Sequence, residues 1–470
     1  MKHIVDRERE LRFLEEKFAS AKPQLLVMYG RRRAGKTFLL EHFLEKHDGA
    51  YFLCSRGNEA EQIALLSKTL AEYYGDAAVK INPFKSWDQL FDYLSEKAEA
   101  KRLVLVIDEF PYLIQSNNAV PSIFQKYWDT VLSKTNAFLV LCGSSIGMME
   151  SQVLAHKSPL YGRRTGQWKV ESFRFNKFRQ FFKKTSVEQA IEFYAVLGGI
   201  PYYAGEFDED ASAKQNILAH IARKGELLYE EGEFLVKEEL SDAHTYFSIL
   251  RAIAEGKTKQ SEIANSVGMN STAMPRYLNK LASLGFVARA TPTTMAKNSK
   301  KSIYSVSDAF LKFWFKFVYP NRGLIETEKY GEMATLLDRD FNAFTGKAFE
   351  TVCREFVEET GEYDEAGPWW TAYRDKDGVR AEEIDIVATN RATDSVLFAE
   401  CKWQAGADAD ALLADLKRKA RLVEWRNAGR KEKYALFAKS FKENSSPAKE
   451  AVLIDLQILS KWAEGQPAKL

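Results

Sequence analysis

Residues 24–40, QLLVMYGRRRAGKTFLL, constrain this chain more than any other stretch. An apolar run, a loop bounded by glycines and an apolar-periodic helix start follow one another without a break. The loop carries the spacing G-x-x-x-x-G-K-T, with Gly30, Gly35, Lys36 and Thr37 at the defining places. That spacing turns the backbone N–H groups of Gly30, Arg31, Arg32, Arg33, Ala34 and Gly35 inward around an anion, at the mouth of a helix. Lys36 is a point charge for β- and γ-phosphates, and Thr37 offers a hydroxyl to Mg²⁺. A plain glycine turn between strand and helix would need neither side chain. The stretch therefore predicts a nucleotide triphosphate site.

A second stretch adds hydrolysis to binding. RLVLVIDEFPYLI, residues 102–114, is a continuous apolar run ending in Asp108 and Glu109. Such a run suits a parallel strand covered on both faces, and ligands bind at the carboxyl ends of such strands. Asp108 is placed to hold Mg²⁺, directly or through water. Glu109 is placed to orient and polarise the attacking water.

Length sets the number of cores. At 470 residues and 46% hydrophobic composition, three or four domains are expected. No run of eighteen apolar residues is present, so no membrane span is expected. The amino-terminal MKHIVDRERELRFLEEKF reads as a charged helix rather than a signal peptide. Cys54, Cys142, Cys353 and Cys401 are widely spaced and sit in apolar stretches, which predicts buried thiols and a cytoplasmic protein. The net charge of +2 means that any nucleic-acid surface has to be local.

Strands are expected at 24–29, 50–54, 102–107, 137–142 and 167–173, alternating with helical patterns. This is α/β patterning, with a parallel sheet covered on both faces. The strand FLVLCGSS ends in polar residues, so Ser144 or Ser145 is a candidate to sense the γ-phosphate; a strand-terminating turn explains them equally well. Arg163 and Arg164 in PLYGRRTG are candidates to reach a nucleotide in cis or from a neighbouring subunit, against the alternative of a solvated basic loop. Residues 176–243 read as a helical lid, broken at LGGIPYY, where Gly198 and Gly199 would let backbone approach the nucleotide or simply form a turn.

The stretch 244–322 changes character. It carries twelve Lys or Arg against three Asp or Glu. A helix after Ser261, a turn at Val267-Gly268-Met269 and a helix over 271–284 precede a strand pair, the pattern of a winged helix-turn-helix. Arg276 and Lys280 would lie on the recognition helix, and Lys297, Lys300 and Lys301 in the wing, facing DNA phosphates. A packing module is the competing account.

The last stretch, 323–470, holds a second set of acids. EEIDIVATN and VLFAECKWQ read as a hairpin whose turn centres near Ala392. Ile384 and Ile386 would share one face, and Asp385 would lie opposite Glu400, beside Lys402. The helix GKAFETVCREF would bring Glu350 alongside. Asp385 and Glu400 would bind one or two Mg²⁺, and Lys402 would position the water or stabilise the transition state. A surface hairpin with cross-strand ion pairs is the alternative.

Together YGRRRAGKT, VIDEFPYLI, LCGSS, PLYGRRTG, GGIPYY, SDAFLKFWFKFVYPN, PWWT, EIDIVA and FAECKW resemble, nearly end to end, the bacterial and archaeal AAA+/STAND-type P-loop ATPases that carry a C-terminal PD-(D/E)XK nuclease-like domain. The resemblance implies ATP at Gly30–Thr37, metal and catalytic roles for Asp108 and Glu109, a winged helix, and a nuclease fold with Glu350, Asp385, Glu400 and Lys402 intact. The expected division is an ATPase core at 1–175, a lid at 176–243, a winged helix at 244–322 and a nuclease-like domain at 323–470. The expected activity is an ATPase that engages DNA and cuts it with Mg²⁺, with homo-oligomers allowed. The alternative is an ATP-switched scaffold or regulator that does not cut.

Overall fold

The computed structural model describes residues 5–240, 242–296, 299, 301–375, 378–443 and 450–470. They fall into two compact units, 1–172 and 173–470.

The first unit is built on β1 (Gln24–Tyr29), β2 (Ala50–Leu53), β3 (Leu103–Asp108), β4 (Ala137–Gly143) and β5 (Gly166–Lys169). The sheet order is β2-β3-β4-β1-β5, and every pair is parallel. β1, β3 and β4 are buried at every position, as their unbroken aliphatic sequences require. The helix Lys36–Lys46 turns Leu39, Leu40 and Phe43 onto this sheet, where they meet Leu26, Met28, Val104, Phe138 and Val140. Phe43 is fully buried, so its truncation to alanine would cost about 3–5 kcal/mol. This packing fixes the start of the helix, and with it the loop that precedes it.

The second unit begins with a short helix at Phe175–Phe178, followed by helices at Val187–Leu197, Pro201–Ala204, Ala213–His220 and Glu231–Glu239. Gly199 sits at a backbone crossing. A Cβ on it would stand 1.8 Å from the Phe173 carbonyl oxygen, and Phe173 N–H donates to the Gly199 carbonyl at 2.8 Å. The glycine is required by that backbone crossing. Helices Ala243–Ala254, Gln260–Ser266 and Met274–Ser283 follow, then β6 (Val287–Ala290) antiparallel to β7 (Ile303–Val306). The aromatic run after β7 is core: Trp314 is fully buried and its indole N–H donates to the Tyr229 carbonyl at 2.7 Å.

The long helix Tyr330–Glu359 leads to β8 (Glu365–Asp375), β9 (Gly378–Asn390), β10 (Ser395–Lys402), β11 (Lys431–Ala438) and β12 (Val452–Ile454). Their order is β12-β11-β10-β9-β8. β8, β9 and β10 pair antiparallel; β10, β11 and β12 pair parallel. One face packs Ala388, Leu397, Ala399 and Phe437 against Phe349, Val352 and Phe356 of the long helix. The other packs Val387, Val396, Phe398 and Leu436 against Leu413 and Leu416 of the helix Ala409–Ala420.

The pairing of Ser395 with Asn390 and of Ala399 with Ile386 puts the hairpin turn where the sequence predicts it, with Asp385 next in line opposite Glu400. The expected shared face of Ile384 and Ile386 does not form. Ile386 joins the core under the long helix, whereas Ile384 joins the core under Ala409–Ala420. The register between β8 and β9 shifts between Gly367 and Trp369, so Asp385 and Ile386 together oppose Pro368. Proline has no N–H for the ladder, and the extra residue forms a bulge that re-aims the side chains beside it.

Candidate functional sites

At the carboxyl end of the first sheet, Gly30 passes so close to β5 that a Cβ would stand 2.1 Å from the Val170 carbonyl oxygen. Gly35 takes φ +90° and opens the helix Lys36–Lys46. Arg33, inside the loop, has φ 65°. The loop between them wraps, and the Lys36 ammonium donates to the carbonyls of Gly30 at 2.9 Å and Arg31 at 3.0 Å. Lys36 is 5% exposed, so its charge is held against the loop it serves. Arg32 donates to the Tyr112 hydroxyl at 3.0 Å. Arg7 braces the loop from outside: one guanidinium nitrogen meets Glu10, and the other donates to the carbonyls of Ala34 at 2.8 Å and Glu171 at 3.0 Å.

Asp108 ends β3 and is 1% exposed. Thr37 donates its hydroxyl to Asp108 Oδ2 at 2.7 Å, so the two expected metal-side residues are in contact. Glu109 follows with φ 54°, an uncommon backbone for a glutamate, and starts the helix Phe110–Ser116. Ser144, at the end of β4, donates its hydroxyl to both Glu109 oxygens, at 2.7 and 2.9 Å. The Ser144 hydroxyl thus stands on the catalytic candidate itself. Arg163 is joined to Asp129 at the surface through contacts of 3.1–3.3 Å, and Arg164 donates to the Leu154 carbonyl at 3.0 Å. The donor set suits a nucleotide with Mg²⁺: inward loop amides, one lysine, one hydroxyl and one buried carboxylate.

The second unit gathers the other acids. Asp385, in the bulge, accepts the Cys401 N–H at 2.8 Å. Burial, and then the charges of Glu400 and Glu350, push its carboxyl up to about 7. Glu400 is 5% exposed and accepts from Lys402 at 2.7 Å. Lys419, on the helix Ala409–Ala420, also reaches Glu400 at 3.4 Å, and Asp415 at 3.0 Å. Burial pulls both lysines down, but their carboxylate partners outweigh it and raise them. Glu350 comes from the long helix and pairs with Lys347 at 2.9 Å; its carboxyl is raised by burial. Half-buried Lys312 is lowered by desolvation, against the pull of Glu350. Among the described residues no group of three or more His, Cys, Asp or Glu has metal-holding geometry. A cation here would rest on Asp385 and Glu400, with water or substrate oxygen completing its shell. The four cysteines are free and buried, as expected.

On the helix pair near residue 270, Arg276 is exposed and Lys280 half-buried. Lys301 is exposed; Lys297 and Lys300 lie outside the described residues. Between the helix Gln260–Ser266 and β6–β7 lies a cavity of about 460 Å³ lined by Lys259, Gln260, Ser261, Ser271, Arg289 and Tyr304. Sequence reasoning missed Arg7, Tyr51 and Lys419, each of which touches a site through a partner distant in the chain. Among the described residues no helix is long and apolar enough to cross a membrane.

Residues 4–207 match a family model described as an ATPase domain predominantly from Archaea. Residues 314–415 match a second, described as archaeal and bacterial proteins of unknown function. The solved structure of the Walker-type ATPase PABY2304 of Pyrococcus abyssi aligns with 67% of this chain and 96% of its own, at 22% identity and a TM-score of 0.51, a likeness of fold. A Methanocaldococcus jannaschii protein described as ATP-binding, MJ0423, is 54% identical over 42 residues, 9% of this chain and 71% of its own length. Another protein of that organism, MJECL04, is 34% identical over 434 residues, spanning 89% of this chain and 92% of its own. Likeness sustained over that length, with the loop, the acid pair and the parallel sheet in place, puts the chain in the archaeal-type P-loop ATPase family that includes MJECL04.

Proposed function

We propose that this ATPase binds ATP at Gly30–Thr37, engages DNA through a winged helix in 244–322, and cuts it at a PD-(D/E)XK-like site in 323–470. In the first site the loop amides and Lys36 hold the phosphates, and Thr37 and Asp108 hold the Mg²⁺ side. Mg²⁺, when bound there, would supply charge neutralisation for the phosphates. Glu109 orients and polarises water, and Ser144 links that carboxylate to the end of β4, where a γ-phosphate would be sensed. Arg163 would reach a nucleotide only after leaving Asp129, in cis or in a homo-oligomer.

The DNA reading is supported by the basic balance of 244–322 and by the polar cavity at Lys259 and Arg289. The cutting reading rests on one observation: Asp385 follows the last pair of the β9–β10 ladder close enough to feel the charge of Glu400, and Lys402 lies beside Glu400. A metal bound there would lower the pKa of a water. Asp385 and Glu400 would hold it, and Lys402 would place its charge against the phosphate once it leaves Glu400.

A second reading is favoured by a specific contact. Glu400 already holds two lysines, so its charge is balanced from within. A domain built that way would bind DNA or a partner without cutting. Supercoiled plasmid and single-stranded DNA, incubated with Mg²⁺ or Mn²⁺ and with or without ATP, separate the two. Cutting that disappears in Asp385→Ala while ATP turnover persists supports the nuclease. No cutting under any combination moves the conclusion to the scaffold.

A further inference from the structure

Asp108 has donors besides Thr37, the buried Cys142 thiol among them. Oδ1 accepts the Glu109 N–H at 2.8 Å. Oδ2 accepts the Thr37 hydroxyl at 2.7 Å and the Tyr51 hydroxyl at 2.6 Å. Tyr51 lies on β2, where it pairs with Val106, while Leu53 pairs with Asp108. Two residues of strand rise separate Tyr51 from the aspartate, about 6.5 Å. A phenol spans that distance along the shared face and ends in a donor. Phenylalanine would span it and donate nothing.

We infer that Tyr51 is a positioning residue for the cation side of the phosphate site, holding the Asp108 carboxylate so that it meets a divalent cation through water. An ionised carboxylate has about four lone-pair sites. Two on Oδ2 are taken by hydroxyls and one on Oδ1 by a backbone amide, and the Cys142 thiol also bonds to the carboxylate, so its donors hold it from several sides. Both hydroxyl donors are neutral, so they fix the plane of the carboxylate without cancelling its charge. Thr37 donates its proton to Asp108, and Tyr51 also lies within hydrogen-bond reach of the Thr37 hydroxyl, so the phenol touches both cation-side residues. Partners of this kind, bonded to a ligand rather than to the metal, typically change metal affinity 10- to 100-fold when removed. The Thr37–Asp108 pair belongs to the nucleotide reading already proposed; Tyr51 is an addition to it and rests on it.

The test is equilibrium binding of a fluorescent, non-hydrolysable ATP analogue to the full chain, first in EDTA and then across a Mg²⁺ titration. Binding in EDTA reports the phosphate loop alone; if it is absent from the wild type, the nucleotide reading has failed and not this one. Tyr51→Phe removes one oxygen and no carbon. It is expected to keep the EDTA affinity and thermal midpoint of the wild type and to raise the Mg²⁺ midpoint about 10-fold. On an Asp108→Asn background the same change is expected to add no further shift, because its effect passes through the carboxylate. A Mg²⁺ midpoint within twofold of the wild type, or an equal shift with and without the Asp108 carboxylate, overturns the inference.

Discussion

Both units gather acids on a sheet, one at a strand end and one at a bulge, yet they keep their carboxylates in opposite company. In the first unit, Asp108 and Glu109 are held by the hydroxyls of Thr37, Tyr51 and Ser144 and by a backbone amide. Lys36 is held by backbone carbonyls. Positive and negative groups are positioned separately, each by a neutral partner, and both keep their charge for a ligand. In the second unit, Glu400 is paired with Lys402 and Lys419, and Glu350 with Lys347. There a cation has to displace lysines before it meets two full charges. Neutral partners preorganise a site without spending its charge; ionic partners stabilise it and make entry an exchange.

The sharpest way to break this comparison is Glu109→Gln. Glutamine can still meet Ser144 and fill the space, so nucleotide affinity should persist while turnover falls about 100- to 10,000-fold. Turnover at the wild-type rate would remove Glu109 from its role. Next comes Lys36→Ala, which deletes the charge held ready by carbonyls. Nucleotide affinity, measured by calorimetry, should fall by about 2–5 kcal/mol; a loss under tenfold would mean that the loop amides carry the phosphates alone.

In the second unit the comparison predicts a cost in stability even without ligand. Glu400→Gln leaves half-buried Lys402 and buried Lys419 short of a partner, and should lower unfolding free energy by about 2 kcal/mol. An unchanged urea midpoint would show that these pairs are ornamental and the site free to take a metal. The smallest effect belongs to Asp385. In the fold its carboxyl is raised to about 7, whereas in the unfolded chain it is about 3.9. The fold therefore binds the extra proton between those values. Its stability is full below the lower value and is lost as pH rises through the upper. Asparagine does not titrate, so Asp385→Asn should gain on the wild type between pH 5 and pH 8 by on the order of 1–2 kcal/mol in metal-free buffer. A pH-independent difference would show that Asp385 is ionised throughout.

What the sequence made legible, and what it hid, follows chain distance. The phosphate loop is read from neighbours, because Gly30 to Thr37 do their chemistry in one turn. The hairpin register is read from a short turn, because period-two pairing runs outward from Ala392. Tyr51 is one of twenty tyrosines, and nothing near it in sequence points to Asp108, 57 residues on. Lys419 sits among the basic residues of LKRKA, where any lysine passes for a solvated one. Arg7 finds Ala34 across 27 residues. The bulge hid for another reason: it is caused by Pro368 on a different strand, while the alternation of β9 itself looks regular.

That bulge makes the second site a matter of counting. Asp385 owes its place to one surplus residue in β9 opposite Pro368. Deleting Ile386 there would restore the regular pleat: because Ile384 and Ile386 already face opposite cores, the strand on either side keeps its faces and only Asp385 is re-aimed, into the core place of Ile386. All the acids and lysines would still be present in the sequence, in the same order. Two relatives that agree at every polar position can therefore differ in having this site, according to whether β9 is one residue longer than its partner across Pro368. Alignment gaps in β9, more than substitutions, would track gain and loss of the chemistry.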